Sequence, residues 1–370
     1  MTNNERIILG AQLQQAREIV QFLPEEVANR LGIQPDEIIN WEIGRAKPNL
    51  RQLEQLAEIY GREIDYFLKE TPSPPAKVQF RSATKQSFQE LSYEARVAIA
   101  KFDEWCRTAY ELDSLLGTIR LTEIEHIPSS KSPIDLAREQ RESLGLDERP
   151  ASKLRERLTK KGVRILELPI PHGQFSGFSY WHQLYGPCIL INAKEVPGRK
   201  NFTLAHEYAH RLYNHPPLVC DIAEEKVLDS IGDEQLADIF AVEFLLPKHS
   251  VYEDFSRRGL SKTTSIQDIG KMAGSWYVSI QAMGYRLEVL TLINRGYTNE
   301  LLASYQPQIR WKPPKAPRWQ RRLGKTFVSN ALEAYYKGHI SLGKLAHSLG
   351  IPMRKALEIA EHGLEKSKHQ

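Results

Sequence analysis

The sequence predicts a predominantly helical α+β protein with one short sheet near its middle. Three observations carry that expectation. Apolar residues recur at helical spacing over most of the 370 residues, three neighbouring segments alternate with a strand's period of two, and proline-rich stretches divide the chain. The length suits two or three domains, each with its own core, and the 41% hydrophobic content is that of an ordinary globular protein. No run approaches the roughly 18 to 20 apolar residues that span a bilayer, and the polar start "MTNNERIILG" lacks a leader's apolar core, so the expected location is the cytoplasm, with no membrane partner.

Taken in order, "LGAQLQQAREIV" puts Leu9, Leu13, Ala16 and Ile19 or Val20 on one helix face. "PEEVANRLGI" has Pro24 and two acids in a first turn and Gly32 as a stop. "PDEIINWEIGRAKP" reads as a third helix ended by Gly44, "NLRQLEQLAEIYG" as a fourth, and "DYFL" closes the unit. The stretch "KETPSPPAK" marks a boundary. Residues 84–112 and 132–161 read as helices, then "GVRILELPI", "FSGFSYW" and "GPCILINA" as strands. Helices return with "NFTLAHEYAHRLYN" and "GDEQLADIFAVEFLLP", joined by a long loop, and continue through "SIQDIGKMAGSW" and "SIQAMGYRLEVL". The expected boundaries are 1–70, a linker 71–83, a central unit 84–300, a basic Pro/Trp linker 301–325 and a helical module 326–370.

Charge is uneven. Residues 1–70 hold 8 Lys/Arg against 12 Asp/Glu, a net of −4, while residues 305–370 hold 13 against 4, a net of +9, within a chain total of +4. An anionic partner is therefore expected at the C-terminal end. Cys106, Cys188 and Cys220 are widely spaced and odd in number, which fits reduced, mostly buried thiols.

The chemistry concentrates in "FTLAHEYAH", Phe202 to His210. Positions four apart share a helix face, so His206 and His210 can each offer an imidazole nitrogen to one ion. Glu207 projects about 100° away, where it can reach a water without ligating the metal. This is the content of HExxH: two zinc ligands and a general base. A third ligand is sought downstream, where "DEQLADIFAVEFLLP" offers Glu234 and Glu243. Glu234, Ala237, Asp238 and Ala241 form one stripe whose alanines allow close helix approach, and Asp238 can orient a ligand histidine. His215 reads as a solvated loop histidine or as a transition-state donor, with Tyr213 as its rival. Two histidines, a glutamate and a water make an open, catalytic kind of Zn²⁺ site.

With these pieces in view, the chain resembles the ImmA/IrrE family of metalloproteases. "GPCILIN", "FTLAHEYAH", "EQLADIFAVEFLLP" and "IGKMAGSWYVSIQAMGYRL" match that family's motifs in order across about residues 160–290. The resemblance implies a small zincin-like domain with Glu234, not Glu243, as third ligand. It also implies cleavage of a regulatory protein, a repressor or antitoxin-like partner, in stress, mobile-element or defence responses. The family's Asn after "ExxA" is Asp238 here. A strand beside the metal helix in such proteases can pair with an extended substrate, a role open to "GPCILIN".

Residues 7–68 resemble XRE-type helix-turn-helix domains, with "WEIGRAKP", Trp41 to Pro48, as the distinctive core. Such a domain sets the helix near Pro35–Glu42 into the major groove. This copy departs from the pattern: Leu23 and Pro24 stand where a Ser/Gln pair is usual, and Asp36 and Glu37 face the DNA side. Acids there oppose the phosphate contacts that dominate affinity. The rival use of the surface is protein docking or homodimerisation. The segment "IRWKPPKAPRWQRRLGK" joins cations to indoles, making Arg310, Trp311, Lys312, Arg318, Trp319, Arg321 and Arg322 candidates for nucleic-acid contact, or else a solvated linker. The tail "LEAYYKGHISLGKLAHSLGI" resembles a segment at the end of ImmA/IrrE-type regulators. Two functions follow: a zinc endopeptidase, or a DNA-binding regulator whose peptidase-like domain senses without turnover.

Overall fold

A computed structural model describes residues 3–68, 91–119, 127–215, 218–220, 232–304 and 318–367. The chain begins with α1 (Asn3–Ile19), α2 (Pro24–Leu31), α3 (Pro35–Glu42), α4 (Leu50–Tyr60) and α5 (Ile64–Phe67). A longer helix, α6 (Tyr93–Leu115), precedes α7 (Pro133–Ser143) and α8 (Leu154–Lys160). The sheet region holds β1 (Arg164–Leu168), β2 (Gly177–His182), β3 (Gly186–Asn192), α9 (Pro197–Leu212) and β4 (Leu218–Cys220). Then come α10 (Asp233–Leu245), α11 (Lys248–Arg257), α12 (Ile266–Ser275), α13 (Ile280–Val289) and α14 (Tyr297–Ser304). The chain closes with α15 (Arg318–Leu323), α16 (Lys325–Tyr336), α17 (Leu342–Ser348) and α18 (Met353–Ser367). The predicted α+β class holds, and no described helix is long and apolar enough to cross a membrane.

The first five helices form on the punctuation expected of them. Leu9, Leu13, Ala16 and Val20 are buried together, with Val20 rather than Ile19 taking the core position. Asn49 caps α4 by accepting the Gln52 amide at 2.8 Å. The "WE.GR" core is structural: Trp41 is buried, Glu42 takes Arg17 in a two-pronged pair at 2.7 and 2.9 Å, and Gly44 turns the chain at φ +75°.

Two helix expectations need correction. The helix expected over 84–112 starts at Tyr93, after the cap Ser92 whose side chain accepts the Ala95 amide; residues 84–90 and the linker 71–83 lie outside the described residues. The helix expected over 132–161 is two helices. Gly145, Asp147 and Lys153 adopt left-handed backbone and Pro150 lacks an amide, so the helical ladder cannot continue between them.

The sheet has the order β1-β3-β2-β4, with β1 parallel to β3 and the other pairs antiparallel. Its two faces follow from the period of two. Ile165, Ile189 and Ile191 join the core around α9 and α10, while Leu166, Cys188, Leu190, Phe178 and Tyr180 join a second core against α6. β3 is interior, so the substrate-pairing edge entertained for "GPCILIN" is already occupied on both sides. Its last residue, Asn192, is buried and pins the flanking loops, accepting the amides of Ile170 at 3.1 Å and Lys194 at 3.0 Å.

One helix joins everything. Val97 and Ala100 of α6 enter the core of the first five helices, Ile99, Phe102 and Cys106 pack on the sheet, and Ala109 and Leu112 enter the core of the last three helices. The last of these cores also receives Trp319 and Leu323 of α15. Arg155 fastens α15 by donating to the carbonyls of Arg321 at 2.5 Å and Arg322 at 2.6 Å. The stretch 301–325, expected to be a linker, is therefore partly helical and anchored; residues 305–317 lie outside the described residues.

Candidate metal centre

Helix α9 carries the histidine pair, and its residues Thr203 to Leu212 are all buried. Small residues allow this: Ala205 and Ala209 let the helix lie close under the sheet and against α10. The one-turn spacing places the Nε2 atoms of His206 and His210 3.1 Å apart. From α10, Glu234 brings one carboxylate oxygen to 3.3 Å from His206 Nε2 and the other to 3.5 Å from His210 Nε2. Among the described residues this is the group of three able to hold an ion. Glu243 points elsewhere: it pairs with Arg286 and accepts the Lys248 amide at 3.1 Å.

The donor set fits a zinc ion. Ligand bonds of about 2.0–2.1 Å in a tetrahedral site separate donor atoms by about 3.3 Å, close to the observed triangle. Tautomers agree as well. Asp238 accepts from His206 Nδ1 at 2.8 Å, and His210 Nδ1 lies 2.8 Å from His215 Nδ1, which leaves both Nε2 lone pairs facing the same point. Electrostatics favours positive charge there. Burial works against a protonated His206, yet with no ion between them the carboxylates of Asp238 and Glu234 outweigh it and push its pKa up to about 10, so the proton on Nε2 holds the place a cation would take. Burial and the neighbouring His206 instead depress His210. The histidines are buried while the Glu234 side chain is 41% exposed, so the centre is reached from the α10 side.

Glu207 occupies a different environment from the three donors. It is fully buried, and among the described residues neither carboxylate oxygen has a partner in hydrogen-bond geometry, although the Ser179 hydroxyl lies beside it. Burial pushes its pKa up to about 7, against the pull of His206. Space for the carboxylate comes from β2: a Cβ on Gly177 would sit 2.4 Å from Glu207 Oε1 and 2.6 Å from Thr203 Cγ2. Gly177 and Ser179 share the α9 face of the strand, while Phe178 and Tyr180 face α6. Neither residue was singled out from the sequence. The small–large alternation of "GFSY" was the available signal.

Other candidates are placed differently from expectation. His215 is not a solvated loop histidine; it is buried, with Nε2 3.2 Å from Asp233 Oδ1. Tyr213 is not a donor to the centre, because its hydroxyl donates to the Lys131 carbonyl at 3.1 Å while its ring stacks on His215. Arg310, Trp311, Lys312 and the Arg318 side chain lie outside the described residues. Trp319 is partly buried with its indole against the C-terminal core, so it lacks the free face that base stacking needs. Cys106 and Cys188 are free and buried, as expected.

Comparison with known families now bears on this geometry. Residues 158–288 match the model of the IrrE N-terminal-like domain of the M78 peptidases, a span that contains all three donors and Glu207. The centre lies in an IrrE N-terminal-like peptidase domain. Residues 8–65 match a helix-turn-helix domain, and no curated protein matches the chain. The IrrE-like domain thus sits in one chain with a fold used for DNA binding. In the helix-turn-helix domain, acids cap both helices that would approach DNA. Glu26 accepts the Leu23 amide at 2.7 Å, and Glu37 accepts the Gln34 amide at 3.4 Å, so these amides are not offered to phosphate.

Proposed function

We propose that the chain is a zinc-dependent, site-specific endopeptidase that cleaves a regulatory protein, a repressor or antitoxin-like partner. His206, His210 and Glu234 hold the ion and Glu207 is the general base. The observation that carries this reading is the buried, unpartnered Glu207 carboxylate beside three converging donors. A zinc ion held by these three residues would supply Lewis acidity toward a water and the scissile carbonyl. Glu207 accepts a proton from the attacking water and passes it to the departing amine as the C–N bond breaks; burial, which favours the protonated form of its carboxyl, suits it to holding that proton in between. Asp238 holds His206 in the tautomer that leaves Nε2 free.

The second reading, a DNA-binding regulator with a non-catalytic sensor domain, draws on the helix-turn-helix match. Keeping a partnerless buried carboxylate costs stability, and a domain without turnover has no use for it. The deciding experiment compares proteins cleaved in cells on induction of the wild type and of Glu207→Gln. Fragments that appear with the wild type alone support the peptidase. Identical protein profiles from the two would favour the sensor.

A further inference from the structure

The chain does something unusual just after α9. Tyr213 ends the helix, Asn214 takes a left-handed conformation at φ 54°, and the chain doubles back. The His215 amide then donates to the His210 carbonyl at 2.9 Å, and Arg211 Nη2 donates to the His215 carbonyl at 2.9 Å. The Tyr213 ring stacks on the His215 imidazole, centroids 5.3 Å apart and planes within 10°. Backbone and ring are therefore both held, in a residue only 4% exposed. A left-handed asparagine and a buried imidazole each oppose folding, so the arrangement needs a compensating use.

That use is visible in where the two ring nitrogens go. His215 Nδ1 lies 2.8 Å from His210 Nδ1, a spacing that needs one proton between the two atoms. His210 presents its Nε2 lone pair to the donor triangle, so its proton is on Nδ1 and donates to His215. His215 then carries its own proton on Nε2, which lies 3.2 Å from Asp233 Oδ1, a charge contact whose angle falls outside hydrogen-bond geometry. Asp233 is the first residue of α10 and the chain neighbour of Glu234.

Resting on the metal-site reading above, we infer that His215 is a positioning residue of the centre. It is a neutral imidazole that fixes the tautomer and ring plane of His210 and, through Asp233, ties the ligand helix to the start of the helix that supplies Glu234. The two ligand histidines are thus oriented by different chemistry. His206 has a carboxylate directly on its Nδ1, whereas His210 has a neutral ring with a carboxylate one step further out.

The test uses the purified full chain and zinc alone. Zinc affinity is measured by competition with a chromophoric chelator for the wild type, His215→Ala, His215→Asn, Asp233→Ala and the His215→Ala/Asp233→Ala double variant. An orienting partner of a metal ligand contributes about 10- to 100-fold in affinity. His215→Ala is expected to lose that much, and His215→Asn, whose amide oxygen can accept from His210 Nδ1, to recover part of it. Asp233→Ala, a change at a half-exposed side chain that leaves the core intact, should lose several-fold, and the double variant should be no weaker than His215→Ala. Nitrogen-15 spectra of the zinc-loaded chain should show the His215 proton on Nε2, a signature that mere packing would not require. Wild-type affinity in His215→Ala, or a proton on its Nδ1, overturns the inference while leaving the metal site standing. A wild-type chain that binds no zinc overturns both.

Discussion

Helices α6 and α9 both bury glutamates, and the two are treated in opposite ways. On α6, Glu104 is buried between Arg62, at 3.0 Å, and Arg107, while its neighbour Asp103 takes Arg62 at 2.9 Å and the Tyr180 hydroxyl at 3.0 Å. Burial alone would raise Glu104, but the Arg62 and Arg107 guanidiniums outweigh it and hold the pKa down at about 2. On α9, Glu207 has no guanidinium within hydrogen-bond reach among the described residues, and burial pushes it up to about 7. A buried carboxylate with matched cations is a joint; one left without them is poised for proton transfer. The contrast also separates the helices: α6 fastens the helix-turn-helix domain and the C-terminal helices to the sheet, and α9 carries the candidate metal centre.

Removing each carboxylate's function should break the molecule in different ways. Glu207→Gln should lower cleavage of an identified partner by about 10²- to 10⁴-fold, the usual contribution of a general acid–base group, with zinc content unchanged. Loss of zinc together with activity would instead make Glu207 part of the binding site. Arg62→Ala should leave zinc bound but destabilise the chain by about 3–5 kcal/mol, because Asp103 remains buried without its cation and Glu104 keeps only Arg107. Urea denaturation followed by tryptophan fluorescence measures this, and a loss under 1 kcal/mol would show that water or Arg107 compensates.

Acid should act on α6 as well. A carboxylate whose folded pKa lies below its unfolded value stabilises the protein above the unfolded value, and the stabilisation fades as pH falls through the folded one. For Glu104 the window runs from 4.5 down to about 2. The buried pair should therefore lose up to about 3 kcal/mol of stability across that window. Denaturation midpoints of the wild type and Glu104→Gln at pH 5 and pH 3 should converge toward acid; a constant gap would mean that Glu104 is not held low. The smallest effect belongs to Glu243→Ala. It should keep zinc affinity within about twofold and cost about 1–3 kcal/mol by stranding the buried Arg286. A zinc-free Glu243→Ala variant would reassign the third ligand.

A separate expectation concerns the helix-turn-helix domain. Leu23 is 61% exposed beside Pro24, and Asp36 and Glu37 are exposed at the start of α3. Duplex DNA should bind the full chain weakly at physiological salt, because these groups oppose the phosphate contribution. Tight, salt-insensitive and sequence-specific retention in a gel-shift titration would contradict that.

Helical period alone made His206, Glu207 and His210 legible, since i, i+1 and i+4 on one helix determine what shares a face. Capping and stop signals likewise made the first four helices readable, and alternation made three of the strands readable. What period cannot encode is which faces meet. Spacing offered both Glu234 and Glu243; the family resemblance pointed to Glu234, and the physical reason is that the first turn of α10 lies against the histidine pair while Glu243 turns to Arg286. The same limit hid His215. A histidine five residues past a ligand looks like loop until a left-handed Asn214 turns its ring back. It also hid α6, whose three apolar faces serve three cores, although proline-rich sequence before it suggested independent domains. Local sequence determined the histidine pair, the glutamate beside it and the elements that carry them, because those depend on neighbours within one turn. The third donor, the dry setting of Glu207 beneath Gly177 and the orientation of His210 were decided by tertiary packing, because each depends on groups brought together from distant parts of the chain.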